Sequence, residues 1–300
     1  MPDLHVAPLR GCGTALITPF TATGAVDEPA LRALVEWQIG EHIDFLVPCG
    51  STGEAATLDL QEHLRVVEIT AAAAAGRVPI VAGAASNDTK KAIALSKAVI
   101  EAGATHLLHV SPMYNRPPQR GIVAHFHAIA DSVTRPIVMY NVPARTASNM
   151  DASTTLSLAA HPNIVAMKEA SGNRAQIDEI LRNRPDGFSV LSGDDALTLP
   201  LMAHGANGVI SVVSNAVPRA MSALTNAMLA RNTQHANELD ATLKWLYTAS
   251  GLEANPLPIK AAMWLLGRCE NVLRLPLVPL AVEHVATVRD ALVSAGALSR

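Results

Sequence analysis

Short, continuous apolar runs recur along the chain at residues 14–17, 45–47, 78–81, 107–110, 137–139, 164–167, 189–191 and 208–212. They are apolar on successive positions rather than on alternate ones, the pattern of strands covered on both faces. Between them lie stretches whose apolar residues return every three or four positions, as at Leu31, Leu34, Val35 and Ile39, or at Ala92, Leu95, Val99 and Ala102 closed by Gly103. That is the period of a helix with one buried face. Eight such alternations predict a parallel sheet wrapped in helices and closed as a (β/α)8 TIM barrel. An open doubly wound sheet competes, but its nucleotide-binding versions carry G-x-G-x-x-G after the first strand, and Gly11-Cys12-Gly13 does not continue that way. Beyond the eighth run the pattern is helical from about 217 to 299, with breaks at 251–258 and 275–279. The expected division is a catalytic barrel over residues 1–230 and a C-terminal helical extension over 231–300.

Composition narrows the function. With 49% hydrophobic and 16% charged residues in 300, the chain can bury a large core and is too apolar for disorder. The net charge is −3 and no basic run exceeds the pair Lys90 and Lys91, which argues against a nucleic-acid partner. No apolar segment reaches the ~18–20 residues of a membrane helix. Residues 1–10 lack a basic start followed by an apolar stretch, so neither membrane nor export is expected and a cytoplasmic location is. Cys12, Cys49 and Cys269 are widely spaced, without a C-x-x-C, and suggest neither a disulfide framework nor zinc. His106 and His109 stand three apart on a strand and so face opposite ways, and His125 and His127 are two apart on a helix, so no metal is expected.

In a barrel the working face is the carboxyl end of the strands. Of six lysines, Lys90, Lys91, Lys97, Lys244 and Lys260 fall in helical stretches, whereas Lys168 directly ends the run at 164–167. A lysine held among apolar neighbours is driven toward its neutral, nucleophilic form, as imine chemistry requires. The alternative is a lysine paired with a carboxylate such as Glu169. Two of three tyrosines, Tyr114 and Tyr140, also follow strands, where a phenol can relay protons or simply pack. The second strand runs into Gly50-Ser51-Thr52-Gly53-Glu54, a tight turn that could present amides and hydroxyls to an anion, or a cap opening the next helix. Asp194 and Asp195 read as helix-opening carboxylates.

These residues sit within GSTGE at 50–54, SPMYNRPPQ at 111–119, YNVPART at 140–146, MKEASGN at 167–173, LSGDD at 191–195 and NPLPIK at 255–260. In this order, over nearly the whole chain, they resemble the class I pyruvate-dependent aldolase family that holds dihydrodipicolinate synthases and N-acetylneuraminate lyases. The resemblance implies a barrel with a helical extension, a homotetramer built from two tight dimers, and no cofactor beyond a covalent imine on Lys168. It makes Lys168 the Schiff-base lysine, Tyr140 the phenol beside the imine, and Ser51 and Tyr114 the rest of a hydroxyl relay, with Tyr114 reaching across the dimer. Ser51 and Thr52 would hold the pyruvate carboxylate and Arg145 that of the second substrate, while Gly193 and Ile210 would line the pocket. Ser51 leans toward the lyases; Arg145 and the NPLPIK segment lean toward the synthases.

The expectation is therefore a lyase of lysine and diaminopimelate biosynthesis that condenses pyruvate with L-aspartate 4-semialdehyde to 4-hydroxy-tetrahydrodipicolinate. Another pyruvate-dependent aldolase or dehydratase is the alternative, and a non-catalytic sensor would be expected to lose Lys168 or Tyr140. At the family's lysine-effector positions Asn87, His63 and Ala56 match, but Ala55, Leu60, Lys91 and Met113 replace serine, histidine, glutamate and tyrosine. Inhibition by lysine is not expected.

Overall fold

The structure, a computed structural model, describes residues 8–299; residues 1–7, within the stretch read for a targeting segment, and Arg300, which ends the expected extension, lie outside the described residues. Strand and helix alternate from the start: β1 (Gly11–Ala15), α1 (Glu28–Gly40), β2 (Phe45–Val47), α2 (Leu60–Ala74), β3 (Val81–Gly83), α3 (Thr89–Glu101), β4 (His106–Val110) and α4 (Gln119–Ala130). The second half repeats the theme with β5 (Ile137–Asn141), the single-turn α5 (Pro143–Thr146), α6 (Ala152–Ala159), β6 (Ile164–Glu169), α7 (Arg174–Asn183), β7 (Ser189–Ser192), α8 (Thr198–Ala203) and β8 (Gly208–Ser211). The eight strands pair in parallel in the order β2-β1-β8-β7-β6-β5-β4-β3. A bridge between Leu46 and Ile80 brings β2 to β3 and closes the (β/α)8 barrel.

Closure explains the continuous apolar runs. Alternate strand residues point into the barrel, where Ala15, Phe45, Val47, Val81, Leu108, Val138, Ala166, Leu191 and Ile210 form one cluster. Their neighbours Leu46, Leu107, Met139, Met167, Val190 and Val209 point outward into a second, larger core beneath the helices. Both faces of each strand are thus apolar. Two strands begin three residues away from where periodicity puts them. β1 covers residues 11–15 rather than 14–17, because Gly13 faces inward against the Phe45 ring, where a Cβ would collide. β3 begins three residues late, at Val81, and runs through Ala82 and Gly83, which carry little apolar signal. Gly83 is there because its Cα lies against the Cys49 carbonyl, leaving no space for a side chain.

Polar caps set where the helices begin. The side chains of Asp27, Asp59, Asp88, Asn173 and Asn232 each accept from an amide in the first turn of the helix that follows, and at Asp59 a reciprocal bond from Glu62 completes a capping box. After β8 come α9 (Pro218–Leu229), α10 (Thr233–Ser250), α11 (Leu257–Leu265) and α12 (Val282–Ser294). The non-helical break before α12 spans residues 266–281, wider than the 275–279 expected. Three short segments at Ala55–Thr57, Asp195–Leu197 and Val213–Asn215 are single 3-10 turns. No helix among the described residues is long and apolar enough to cross a membrane.

His106 and His109 do face opposite ways, and both are buried. Desolvation, with the nearby Arg135 charge, pushes His106 down to about 4, and desolvation, with His125, pushes His109 down to about 3. Ser96 donates its hydroxyl to the Ala92 carbonyl at 2.6 Å, so His109 Nε2, 3.1 Å away, is the donor in that pair. A histidine with a depressed folded pKa contributes stability that is intact above its unfolded pKa and is lost as pH falls toward the folded one. Between pH 7.5 and 5 we expect His109→Gln to lose about 2 kcal/mol less stability than the parent chain. Urea unfolding at the two pH values reads this directly, and parallel losses would contradict it.

Candidate active site

The carboxyl ends of β5 and β6 are in register, with Tyr140 paired to Lys168 and Lys168 to Leu191. Both polar side chains therefore point into the barrel mouth at one level, and Lys168 Nζ lies 4.4 Å from the centre of the Tyr140 ring. Lys168 is only 6% exposed. Burial pushes its amine down to about 8, opposed by the Asp195 charge and assisted by that of Arg145. Among the described residues it makes no ion pair. The alternative pairing with Glu169 does not form. As the next residue on the strand, Glu169 points the opposite way, accepting from the Ser171 amide at 2.6 Å and the Asn141 amide group at 3.2 Å. Burial pushes the Tyr140 phenol up to about 12, with Arg145 opposing, so it is protonated at neutral pH and available as a donor.

Two further predicted residues belong to this wall. Gly193 hydrogen-bonds its amide to the Glu169 carbonyl at 2.8 Å. A Cβ on Gly193 would collide with Ala170 Cβ at 2.7 Å and crowd Lys168 Cε at 3.2 Å. Ile210 lies inside the barrel in the same cluster as Tyr140 and Leu191. Asp195 does more than open a helix: one carboxylate oxygen accepts from the Val212 and Val213 amides at 2.9 and 3.0 Å. It fixes the chain just after β8 and opposes the fall of the Lys168 pKa, while burial pushes its own carboxyl up.

Across the mouth lies the 50–54 turn. Its last residue, Glu54, and Cys49 just before it are left-handed (φ 53° and 56°), while Gly53 serves close approach, with a would-be Cβ only 3.0 Å from the Leu16 carbonyl. Ser51 and Thr52 are not helix caps, since Asp59 opens α2 and only the 3-10 turn at Ala55–Thr57 intervenes. For the same reason there is no helix N-terminus at Ser51 to attract an anion. Ser51 is exposed, whereas Thr52 is buried and its Oγ1 accepts from the Asn255 amide group at 2.9 Å. Arg145, exposed on α5, donates to the Asn255 carbonyl at 3.3 Å. Asn255 thus bridges the two residues expected to receive carboxylates. Tyr114 stands apart: at 89% exposure, with its amide bonded to the Thr146 carbonyl at 3.3 Å, its ring does not join Lys168 and Tyr140 within one chain.

The sequence reading assigned no role to Asn255, Lys260 or Asp195 beyond segment likeness, helix membership and capping. The one signal for Lys260 was its isolation in a helix that is otherwise apolar, Leu257–Leu265. No group of three or more His, Cys, Asp or Glu side chains among the described residues is arranged to hold a metal ion. What the mouth does offer is a poorly solvated amine, a protonated phenol, hydroxyls on a rigid turn and a guanidinium at the rim. Together these suit covalent capture of a carbonyl compound bearing a carboxylate.

Comparison with known proteins agrees with this chemistry. Residues 8–295 match the dihydrodipicolinate synthetase family. The chain is 49% identical over 291 residues to the 4-hydroxy-tetrahydrodipicolinate synthase of Koribacter versatilis, covering 97% of each. It superimposes on the crystal structure of dihydrodipicolinate synthase from Aquifex aeolicus with a TM-score of 0.94 at 41% identity, covering 97% of this chain and 100% of that one. The enzyme from Cyanidioschyzon merolae, crystallised with lysine bound, superimposes with a TM-score of 0.94 at 39% identity, covering 96% and 99%. A family match over almost the full chain, joined to a buried unpaired lysine at the end of β6, makes this chain a member of the dihydrodipicolinate synthetase family.

Proposed function

We propose that this chain condenses pyruvate with L-aspartate 4-semialdehyde to 4-hydroxy-tetrahydrodipicolinate through an imine on Lys168. The observation that carries the reading is the unpaired Lys168 amine, pushed down to about 8 and set beside the Tyr140 ring. The neutral amine attacks the pyruvate ketone; the phenol of Tyr140 protonates the departing hydroxyl, and water leaves to give the iminium. That cation is the electron sink for loss of a methyl proton to the Tyr140 phenolate, and the resulting enamine carbon attacks the aldehyde, whose oxygen takes that proton to become the hydroxyl. The substrate amine then attacks the imine carbon, closing the ring and returning Lys168 to the free amine.

In this reading Ser51 and Thr52 hold the pyruvate carboxylate, Arg145 holds that of the semialdehyde, and Gly193 and Ile210 shape the wall. Tyr114, exposed on a lone chain, completes the hydroxyl relay of a neighbouring subunit in a dimer of dimers. The catalytic barrel ends at residue 230, and the helical extension begins at 231. No cofactor is required beyond the imine, and the location is cytoplasmic.

Pyruvate with borohydride is expected to inactivate the protein and leave one reduced pyruvyl group on Lys168. The trapping rate should rise with pH through about 8 as the amine loses its proton. Peptide mapping that finds the adduct on Lys260 or elsewhere would sink the mechanism. A panel of aldehydes and keto acids at constant pyruvate tests the partner: turnover with a sugar-derived substrate and none with the semialdehyde would identify a sister enzyme.

Arg145→Ala should weaken use of the semialdehyde by about 2 kcal/mol or more in kcat/KM while affecting pyruvate far less. Because the Arg145 charge lowers the Lys168 pKa, the same variant should move the pH limb of trapping upward. Equal losses for both substrates would remove the assigned role.

Inhibition by lysine should be absent. Asn87 donates to the Met113 carbonyl at 3.2 Å, so the substituted position belongs to one local cluster. Lys91, exposed on α3, would meet an effector ammonium with like charge. Titrating L-lysine into the steady-state assay checks this, and inhibition at metabolite-like concentrations would refute it.

A further inference from the structure

A second lysine is more deeply buried than Lys168, and its environment is the opposite one. Lys260, in the middle of α11, and Glu54, at the end of the 50–54 turn, both have side chains at 0% exposure, with Nζ 2.5 Å from Oε1. Nζ also donates to the Thr18 carbonyl at 2.9 Å and lies 4.0 Å from the centre of the Phe20 ring. The second Glu54 oxygen accepts from the Arg274 amide at 3.1 Å. From the same segment after β1, the Thr18 hydroxyl donates to the Gly53 carbonyl at 2.7 Å. The turn that carries Ser51 and Thr52 is thereby fixed at its two following residues, by one neutral and one charged contact. On its other side Asn255, five residues before Lys260, holds Thr52.

A buried ion pair is a poor device for stability alone, since an apolar pair of similar volume does as well. What it supplies is a defined distance and direction. Glu54 is a non-glycine residue at φ 53°, a conformation that persists only where the surroundings over-determine it. We propose that Lys260, Glu54 and Thr18 form a positioning bracket for the 50–54 turn, which holds the Ser51 and Thr52 groups in the arrangement that receives the pyruvate carboxylate. The bracket rests on the reading of Ser51 and Thr52 given above. It makes α11 a working part of the substrate site although α11 carries no group that touches substrate.

The test uses borohydride trapping of the full chain, in which the rate of inactivation against pyruvate concentration gives a half-saturation point and a limiting rate without the second substrate. Glu54→Gln combined with Lys260→Met removes both charges, so that neither is left buried alone. Thr18→Val removes the hydroxyl contact without touching a charge. Half-saturation should rise about tenfold or more in the double variant and several-fold in Thr18→Val, with limiting rates within about threefold of the parent. A merely structural role would lower the melting temperature without this split. Ser51→Ala with Thr52→Val serves as the reference. If it leaves half-saturation unchanged, the carboxylate reading falls and the bracket with it. If it raises half-saturation while the folded double variant and Thr18→Val both keep the parent value, the bracket alone falls. Should the double variant not fold, Thr18→Val decides by the same criterion.

Discussion

The mouth of the barrel depends on one ammonium group being denied a counter-ion. Taking Lys168 from its usual 10.5 to about 8 corresponds to roughly 3 kcal/mol against the charged form. That imbalance survives only because Glu169 is turned away and Asp195 is engaged with two backbone amides. Lys260 supplies the contrast. It is buried at least as completely, yet it is paired with Glu54, whose charge opposes the downward push of burial. Burial alone does not make a nucleophile; burial without pairing does.

Register carries this from chemistry back to fold. Tyr140, Lys168 and Leu191 lie at one level because β5, β6 and β7 are hydrogen-bonded in parallel with those residues paired. Shifting β6 by one residue would turn Lys168 outward and bring Glu169 in. A slip would put Met167 where the small Ala166 fills the barrel interior and leave Ala166 under the helices, so it is the fit of side-chain size on the two faces that opposes it. That fit, which a continuous apolar run does not display, aims the lysine.

How far the sequence spoke for itself follows from which contacts are local. Lys168 and Tyr140 were legible because strand ends can be located from apolar runs and a barrel has one working face. The start of β1 and the position of β3 were not, because Gly13 and Gly83 are chosen by close contacts with Phe45 and Cys49 that periodicity does not register. The 50–54 turn looked like a helix cap, since Ser and Thr commonly are, but the capping falls to Asp59 eight residues beyond Ser51. Asn255, Lys260 and Arg274 reach partners about two hundred positions away, and nothing in their own neighbourhoods names those partners. The outward position of Tyr114 is similarly a matter of the folded surface rather than of its motif.

The contact between Lys260 and Glu54 spans 206 positions, which has a consequence for the chain during its own synthesis. Lys168, Tyr140 and the 50–54 turn are all made before β8 completes the barrel and before α11 brings Lys260 to Glu54. A prematurely ended chain that lacks β8 and α11 therefore leaves Lys168 in water as an ordinary charged lysine, and leaves the turn without its charged anchor. The proposed reactivity of this amine toward a keto acid is thus deferred to the finished fold, and a broken message yields a silent fragment.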